Sequence, residues 1–182
     1  MESPYYSLVA YVSNPVGQFV ENLRRELQPE QGDLPAHLTV LPPRRLVGLE
    51  HEAVDLIERV CRSVEPFEIS LGEVETFLPV TPTVFLRVAH AAYRMRELHD
   101  RLNTGALHCN ESWPYMPHLT IVRVEAAERA IAAFDVARRS WSDYRDTRHI
   151  TVDRLTFVRQ QDVGWLDLAP VILGRHTVPA VC

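Results

Sequence analysis

Residues 116–123 read MPHLTIVR, and a His-Leu-Thr triplet begins at His118 in the middle of this stretch. The same triplet begins at His37 in PAHLTVLPP, residues 35–43, and a third His-x-Thr step begins at His149. Polar and apolar side chains alternate around each triplet, which is typical of a β-strand. Side chains two residues apart on a strand point to the same face. The triplets therefore predict strands that each present a His and a Thr together.

The first half of the chain continues this pattern outward from His37. Asn14 followed by Pro15 is a helix start signal, and apolar residues then recur at helical spacing. Pro42 and Pro43 are expected to stop the strand that carries His37. The predicted elements are strands over residues 6–12, 36–41 and 67–74, and helices over 15–27 and 49–64.

The second half repeats the same plan around His118. The predicted elements are strands over residues 83–88, 118–124, 149–158 and 165–173, and helices over 91–107 and 126–141. This duplication predicts a single domain over 1–182 made of two pseudo-symmetric lobes, roughly 1–75 and 76–182, which could exchange strands. We therefore expect an α+β fold that is bilobal, with duplicated β-α-β units and largely antiparallel sheets flanking a central cleft.

Two facing His-x-Thr pairs would suit the chemistry of a phosphodiester. An imidazole titrates near neutrality and can give or take a proton, and a hydroxyl can bind a phosphoryl oxygen. One His could deprotonate the attacking oxygen while the other protonates the leaving oxygen, with no metal. We predict His37, Thr39, His118 and Thr120 as catalytic. His149 has no equivalent in the first half and is predicted to be outside the site.

These motifs resemble the 2H phosphoesterases, the superfamily of bacterial 2′-5′ RNA ligases and cyclic phosphodiesterases. The two motifs lie about 80 residues apart, and MPHLTIVR is similar to the family's second motif, which has an Arg three residues after the Thr, here Arg123. HLTVLPP is similar to the first motif, although Pro-Pro replaces an aromatic-rich continuation. TFLPVTPTVFLRV resembles the segment between the motifs, in which a Phe, here Phe77, lies near the nucleotide cleft.

The resemblance implies a water-filled cleft between two lobes and an activity on RNA ends or nucleotides. The implied reactions are hydrolysis of 2′,3′-cyclic phosphates or 2′-5′ linkages and reversible joining of RNA ends, without ATP or metal. Two alternatives stay open at this point. One is a hydrolase of cyclic oligonucleotide signals or small cyclic-phosphate metabolites, and the other is an inactive nucleotide-binding module.

Five further residues are candidates for substrate binding. Arg123 could bind a phosphate with two hydrogen bonds, and Arg44, with Arg45 beside it, could form a local basic rim. Trp113 and Tyr115 precede His118 in a loop and could stack a base. Phe77 is expected to line the cleft. His90, His99 and the His108-Cys109 pair lack convincing zinc spacing, so no metal site is expected.

Composition excludes several other classes of function. All 19 basic residues are arginines, so lysyl adenylates, Schiff bases and P-loop lysines are excluded, and we expect no ATP and no cofactor. A net charge of −5 argues against a general nucleic-acid coating protein and favours a small substrate. The odd set of Cys61, Cys109 and Cys182 argues for reduced thiols. We expect a cytoplasmic monomer with no signal peptide or membrane span.

Overall fold

The computed structural model describes residues 3–174 of the chain. Its helices and strands in chain order are β1 (Tyr6–Tyr11), α1 (Pro15–Leu27), β2 (His37–Arg44), α2 (Glu50–Cys61), β3 (Phe67–Thr76), β4 (Thr83–His90), α3 (Ala92–Leu102), β5 (His118–Arg123), α4 (Ala127–Asp143), β6 (His149–Val152), β7 (Arg154–Gln160) and β8 (Trp165–Ile172). Short 3₁₀ turns follow α1 at Pro29–Gln31 and α3 at Gly105–Leu107.

The strands form one sheet in the order β6-β3-β4-β5-β2-β1-β7-β8, and every neighbouring pair is antiparallel. β5 and β2, which carry the two His-Leu-Thr triplets, lie side by side at its centre. The predicted α+β class with antiparallel pairing is confirmed. The two groups of four strands on either side of the β5–β2 line belong to one continuous sheet.

The two halves of the sequence interleave in this sheet. β3, from the first half, pairs with β4, and β7, from the second half, pairs with β1. The helices also cross over, because α1 packs against β5 and α3 packs against β2. Each triplet strand is therefore supported by a helix from the opposite half.

The sheet is strongly curled. β6 is at one edge and β7 is next to the other edge, yet the single residue Asp153 separates them in the chain. The two margins of the sheet must therefore approach each other. The amide of Leu173, just after β8, donates a 2.8 Å hydrogen bond to the carbonyl of Asp153, which links the far edge to this crossing point.

The start of α1 follows from its sequence. The side chain of Asn14 accepts a 3.2 Å hydrogen bond from the amide of Gly17, and Pro15 occupies the first turn, as predicted. Gly17 is required here because a Cβ at this position would collide with the carbonyl oxygen of Val12. The cap and the glycine together bring α1 tightly against the end of β1.

Three predicted boundaries were wrong. β2 runs through Pro42 and Pro43 to Arg44. A proline is tolerated there because β2 pairs with β5 only through Leu38 and Leu119, so the later β2 amides on that side are not needed by β5. The predicted strand over 149–158 is two strands, β6 and β7, and the helix predicted over 91–107 ends at Leu102.

Two expectations from the sequence concern membrane spans and thiols. No helix among residues 3–174 is both long and apolar enough to span a bilayer. Cys61 is buried, Cys109 is half-buried, and both carry free thiols. Cys182 lies outside the described residues.

Candidate active site

The register of β2 against β5 brings the two triplets together. Leu38 lies opposite Leu119, and both leucines are fully buried in the core. In an antiparallel pair this register places His37 across from Thr120 and Thr39 across from His118. Residues on diagonal positions of such a pair are roughly 7–8 Å apart, so the two imidazoles can flank one phosphoryl group.

Each catalytic candidate histidine is held by a backbone carbonyl two residues before it. Nδ1 of His37 is 2.8 Å from the carbonyl oxygen of Pro35, and Nδ1 of His118 is 2.7 Å from that of Met116. A carbonyl can only accept a hydrogen bond, so Nδ1 carries the proton in both rings. The Nε2 atoms are left to exchange protons with a ligand. The two halves of the site therefore present the same tautomer.

Both imidazoles have a pKa below the ordinary value for histidine. Burial is the main cause for each ring. The carbonyls of Pro35 and Met116 act in the opposite direction and raise the pKa. For His37, the positive charges of Arg24 and His118 lower the pKa further. In the free protein, both rings are therefore biased toward the neutral form.

A cleft of about 820 Å³ opens over β5, β2, β1 and β8. Its floor includes His37, Thr39 and Thr120, and Arg123 lines it at the end of β5. Neither threonine hydroxyl is hydrogen-bonded to another of residues 3–174, so both can meet a phosphoryl oxygen. This volume is within the range of small-molecule sites. The described cleft therefore has room for a nucleotide.

The cleft exists because β5 and β2 diverge beyond their single paired position, which leaves backbone groups of β5 without strand partners. Arg24, buried on α1, donates hydrogen bonds to the carbonyls of Thr120 (2.7 Å), Ile121 (2.8 Å) and Leu34. Gln28 bonds both the amide (3.2 Å) and the carbonyl (2.6 Å) of Arg123. These two side chains replace a neighbouring strand.

Sequence reasoning missed Arg24 and Gln28, although a signal was present. Arg24 lies four residues after Val20, on the buried stripe of α1 that also includes Leu23. A charged residue on an apolar stripe indicates a buried partner. Burial lowers the pKa of Arg24, while its charge adds to the positive potential near His37. Arg24 also lines the cleft, so α1 contributes directly to the electrostatics of the site.

Phe77 and Tyr115 both lie beside the triplets, in different ways. The ring of Phe77 meets His118 edge-on at 5.0 Å and stacks on Phe85 at 4.1 Å. Tyr115 donates a 2.8 Å hydrogen bond to the carbonyl of Thr39, and its ring stacks on His99 at 4.2 Å. One face of Tyr115 is therefore already covered. Neither ring is among the residues that line the cleft, and His118 is not among them either.

The expectation that Arg44 forms part of a basic rim is contradicted by its position. Arg44 is 2% exposed, and it donates hydrogen bonds to the side chain of Asn103 (2.8 Å) and the carbonyl of Leu107 (3.0 Å). It also forms an ion pair with Glu111, which contacts His99 at 3.0 Å. Arg44 thus ties β2 to the loop before β5. Its neighbour Arg45 lies over the ring of Tyr5 at 5.2 Å.

The remaining candidates lie away from the described cleft. Trp113 is 68% exposed on the loop before β5 and does not line the cleft. His149 is on the edge strand β6, where its Nδ1 is 2.9 Å from the carboxylate of Glu68. Two strands, β3 and β4, separate β6 from β5. Among residues 3–174, no group of three or more His, Cys, Asp or Glu side chains is arranged to hold a metal ion.

Two relatives with the name "putative phosphoesterase" resemble this chain. The protein of Oceanobacillus iheyensis is 28% identical over 175 residues, which are 93% of this chain and 98% of the relative. The protein of Halalkalibacterium halodurans is 31% identical over 118 residues, which are 64% of this chain and 68% of the relative.

Solved structures share the fold. The structure of LigT from Escherichia coli in its apo form matches with a TM-score of 0.66, at 15% identity, over 96% of this chain and all of LigT. A protein of Thermus thermophilus matches with a TM-score of 0.61 over 94% of this chain and 99% of its own length, at 15% identity. Residues 12–164 of this chain match the family model of the 2′-5′ RNA ligase superfamily. Because this match covers most of the chain, the protein belongs to the 2′-5′ RNA ligase superfamily.

Proposed function

We propose that this protein is a 2H-type phosphodiesterase that acts on 2′,3′-cyclic phosphates or 2′-5′ linkages of RNA ends and oligonucleotides. One observation carries the proposal: His37 and His118 lie on adjacent strands with their Nδ1 atoms bonded to equivalent carbonyls. The pairing of Leu38 with Leu119 puts each histidine across from the other triplet's threonine. This arrangement supplies two proton carriers and two hydroxyls around one phosphorus.

Hydrolysis of a cyclic phosphate would use the two histidines in opposite states. The neutral histidine takes a proton from water through Nε2 as the water oxygen bonds to phosphorus. The bond from phosphorus to one ribose oxygen breaks, and the protonated histidine gives its Nε2 proton to that oxygen. The product is a phosphomonoester with a free hydroxyl, and the pair ends with its protonation states exchanged. With the hydroxyl of a second RNA end in place of water, the same steps form a new bond from that oxygen to phosphorus, break one bond of the cyclic phosphate and join the two ends without ATP.

The threonines and Arg123 are proposed to bind the phosphoryl oxygens. Thr39 and Thr120 have hydroxyls that are free to donate, and donors aimed at developing negative charge stabilise a transition state. Arg123 lines the same cleft, and its backbone is fixed by Gln28. A guanidinium can bind two phosphoryl oxygens at once. The lowered pKa of each imidazole would rise when this anionic group is bound.

A nucleotide is the ligand class to test first. LigT of Escherichia coli, which shares this fold, has been crystallised with phosphate and with 3′-AMP. The net charge of −5 and a cleft of about 820 Å³ favour a small nucleotide or a short RNA end over a long duplex. The same features support a second candidate, a hydrolase of cyclic oligonucleotide signals or small cyclic-phosphate metabolites. We propose that the protein acts as a cytoplasmic monomer.

A substrate screen tests the proposal. The purified protein is incubated with 2′,3′-cyclic mononucleotides, 2′-5′ and 3′-5′ dinucleotides and cyclic dinucleotides, and the products are separated by chromatography. We expect turnover of the cyclic mononucleotides or the 2′-5′ dinucleotides, lowered by roughly a hundredfold or more in His118→Ala. Turnover of cyclic dinucleotides alone would favour the second candidate. Binding without turnover of any substrate would mean an inactive nucleotide-binding module.

A further inference from the structure

The part of the cleft beyond His37 has its own aromatic and acidic residues. Tyr11 and His37 are direct partners in the β1–β2 ladder, and their rings meet edge-on at 6.5 Å. The hydroxyl of Tyr11 donates a 2.6 Å hydrogen bond to a carboxylate oxygen of Asp167 on β8. Trp165, two residues before Asp167, lines the same cleft. His37, Tyr11 and Asp167 thus form a continuous row from the triplets to the edge of the sheet.

The two arginines that line the cleft lie at one end of this row. Arg24 and Arg123 contact the cleft from α1 and β5, on one side of His37, and Glu30 and Asp33 contact it from the segment that follows α1. Asp167 contacts it from β8, on the other side of β2 and β1. A carboxylate would repel a phosphate, and neither of the two arginines that line the cleft is on this side, so this end does not suit the phosphoryl group. It suits the neutral part of a ligand that offers hydrogen-bond donors.

Tyr11 fixes which carboxylate oxygen is available. Its pKa is raised, first by burial and then by the hydrogen bond to Asp167, so the phenol stays protonated and donates. Its donation uses one oxygen of Asp167. A carboxylate has two oxygens that each accept more than one hydrogen bond, so the second oxygen can accept from a ligand. Trp165 is 37% exposed and offers a ring surface beside it.

We propose that Trp165 and Asp167 form a base subsite that selects a nucleotide whose base carries an exocyclic amino group. The phosphate lies between the triplets, the ribose passes over Tyr11, the base stacks on Trp165, and its amino group donates to the free oxygen of Asp167. Cytosine has an amino group where uracil has a carbonyl oxygen, which the carboxylate repels. The proposal rests on the proposed function for the position of the phosphate.

Cytidine and uridine 2′,3′-cyclic phosphates give a matched test, because they differ at that one group. We expect kcat/KM of the wild type to be roughly tenfold higher for the cytidine substrate, the usual worth of one hydrogen bond to a charged acceptor. Asp167→Asn keeps an oxygen for Tyr11 and turns an amino group toward the base. The preference should therefore invert in favour of uridine. Equal kcat/KM for the two substrates in the wild type would overturn the subsite.

Trp165 and Leu166 provide a control pair on β8. Both side chains are 37% exposed, but they point to opposite faces of the strand, and only Trp165 lines the cleft. Trp165→Ala should raise KM for both substrates by roughly tenfold or more, the usual worth of stacking one base. Leu166→Ala should leave KM unchanged. Equal effects of the two substitutions would contradict a stacking role for Trp165.

Binding separates failure of the subsite from failure of the proposed function. Calorimetry with 3′-CMP and 3′-UMP measures base preference without turnover. Tighter binding of 3′-CMP, reversed in Asp167→Asn, would support the subsite even if no cyclic phosphate were hydrolysed. Turnover of both cyclic nucleotides together with equal binding of 3′-CMP and 3′-UMP would support the proposed function and overturn the subsite.

Discussion

At the scale of single residues, backbone carbonyls decide what the two histidines can do. Pro35 and Met116 each accept a hydrogen bond from Nδ1 of the histidine two residues later. The same geometry recurs on two strands, so both Nε2 atoms are left for the ligand. A pair in which either ring can be neutral or protonated is what acid–base exchange across one phosphorus requires.

The lowered pKa of each histidine predicts an acid-shifted pH profile for kcat/KM, which reports the free enzyme. A histidine with a lowered pKa stays protonated only at lower pH. The state with one neutral and one protonated ring is therefore most populated below the reference value of about 6.5. We expect a bell-shaped profile with its maximum below that value, measured with a cyclic mononucleotide from about pH 4 to 9. A profile that keeps rising to alkaline pH would contradict the paired mechanism.

The same measurement made at saturating substrate should give a different maximum. The bound phosphodiester anion favours protonated imidazole, so the kcat profile should be displaced to higher pH than the kcat/KM profile. Identical maxima of the two profiles would mean that the charge of the bound substrate does not raise the pKa of either histidine.

Residue positions show which part of the site was predictable from the sequence. The period of two in HLTV and HLTIV is enough to place each His with its Thr, since the Leu between them is buried. The burial of Arg44 was not predictable, because its partners Asn103 and Glu111 lie about 60 residues away in sequence. In the sequence, Arg44 and Arg45 are two consecutive arginines near the end of a strand. Only the fold shows that Arg44 is buried.

At the scale of elements, the loop before β5 is connected to β2 by Tyr115. Its hydroxyl bonds the carbonyl of Thr39, and His99 stacks against its ring. His99 in turn contacts Glu111, the ion-pair partner of Arg44. These contacts join the first triplet's strand to the segment that leads into the second triplet. We infer that Tyr115 is a positioning residue for Thr39.

Tyr115→Phe should lower kcat by roughly fivefold, about the worth of one hydrogen bond, with little change in KM. The ring and its stacking on His99 stay in place, so only the contact to Thr39 is lost. Tyr144→Phe is the matched control, since Tyr144 donates a similar 3.1 Å hydrogen bond to the carbonyl of Thr147. A rise in KM at constant kcat would instead assign Tyr115 to substrate binding.

α1 stabilises β5 on the side where β2 has diverged from it. Arg24→Met would leave the carbonyls of Leu34, Thr120 and Ile121 without their charged donor, and each such bond is typically worth about 1.5–3 kcal/mol. We expect the free energy of unfolding in urea to fall by roughly 3 kcal/mol or more. Arg25→Met, at the exposed neighbour with a 3.7 Å ion pair to Glu21, should cost less than about 1 kcal/mol. Equal losses would show that Arg24 does not support β5.

The element boundaries also show where sequence reasoning is weak. β6 and β7 were merged into one predicted strand, although Asp153 and Arg154 are consecutive exposed residues that break the alternation. The prolines of β2 were given too much weight, because their effect depends on whether a neighbouring strand needs their amides. Both errors arise because local patterns do not show which edge of a strand is paired.

At the scale of the whole molecule, the curled sheet brings both triplets side by side, and His37, Thr39 and Thr120 line one cleft. The duplication indicated two equivalent strands, but the order β6-β3-β4-β5-β2-β1-β7-β8 was not predictable, since β3 and β7 pair with strands of the opposite half. Such pairings depend on packing over the whole chain. The division into halves of roughly 1–75 and 76–182 stays a prediction about duplication.

The paired mechanism predicts that activity on a cyclic nucleotide survives chelation. Two imidazoles can supply both proton transfers, and the threonine hydroxyls and Arg123 can stabilise the phosphoryl charge. We expect kcat to change by less than about twofold after dialysis against EDTA. A loss of activity that one divalent ion restores would show that a metal takes part.

The most direct test of the central claim compares kcat of His37→Ala, His118→Ala, the double variant and His149→Ala on one cyclic nucleotide. Each single substitution in the triplets should lower kcat by roughly 10²–10⁴-fold. The double variant should lose little more than either single one, because the two groups act as a unit. His149, paired with Glu68 on the far edge, should be replaceable within a few-fold, with folding checked by thermal unfolding. A folded His149→Ala protein as inactive as His118→Ala, or a triplet variant with full activity, would contradict the account.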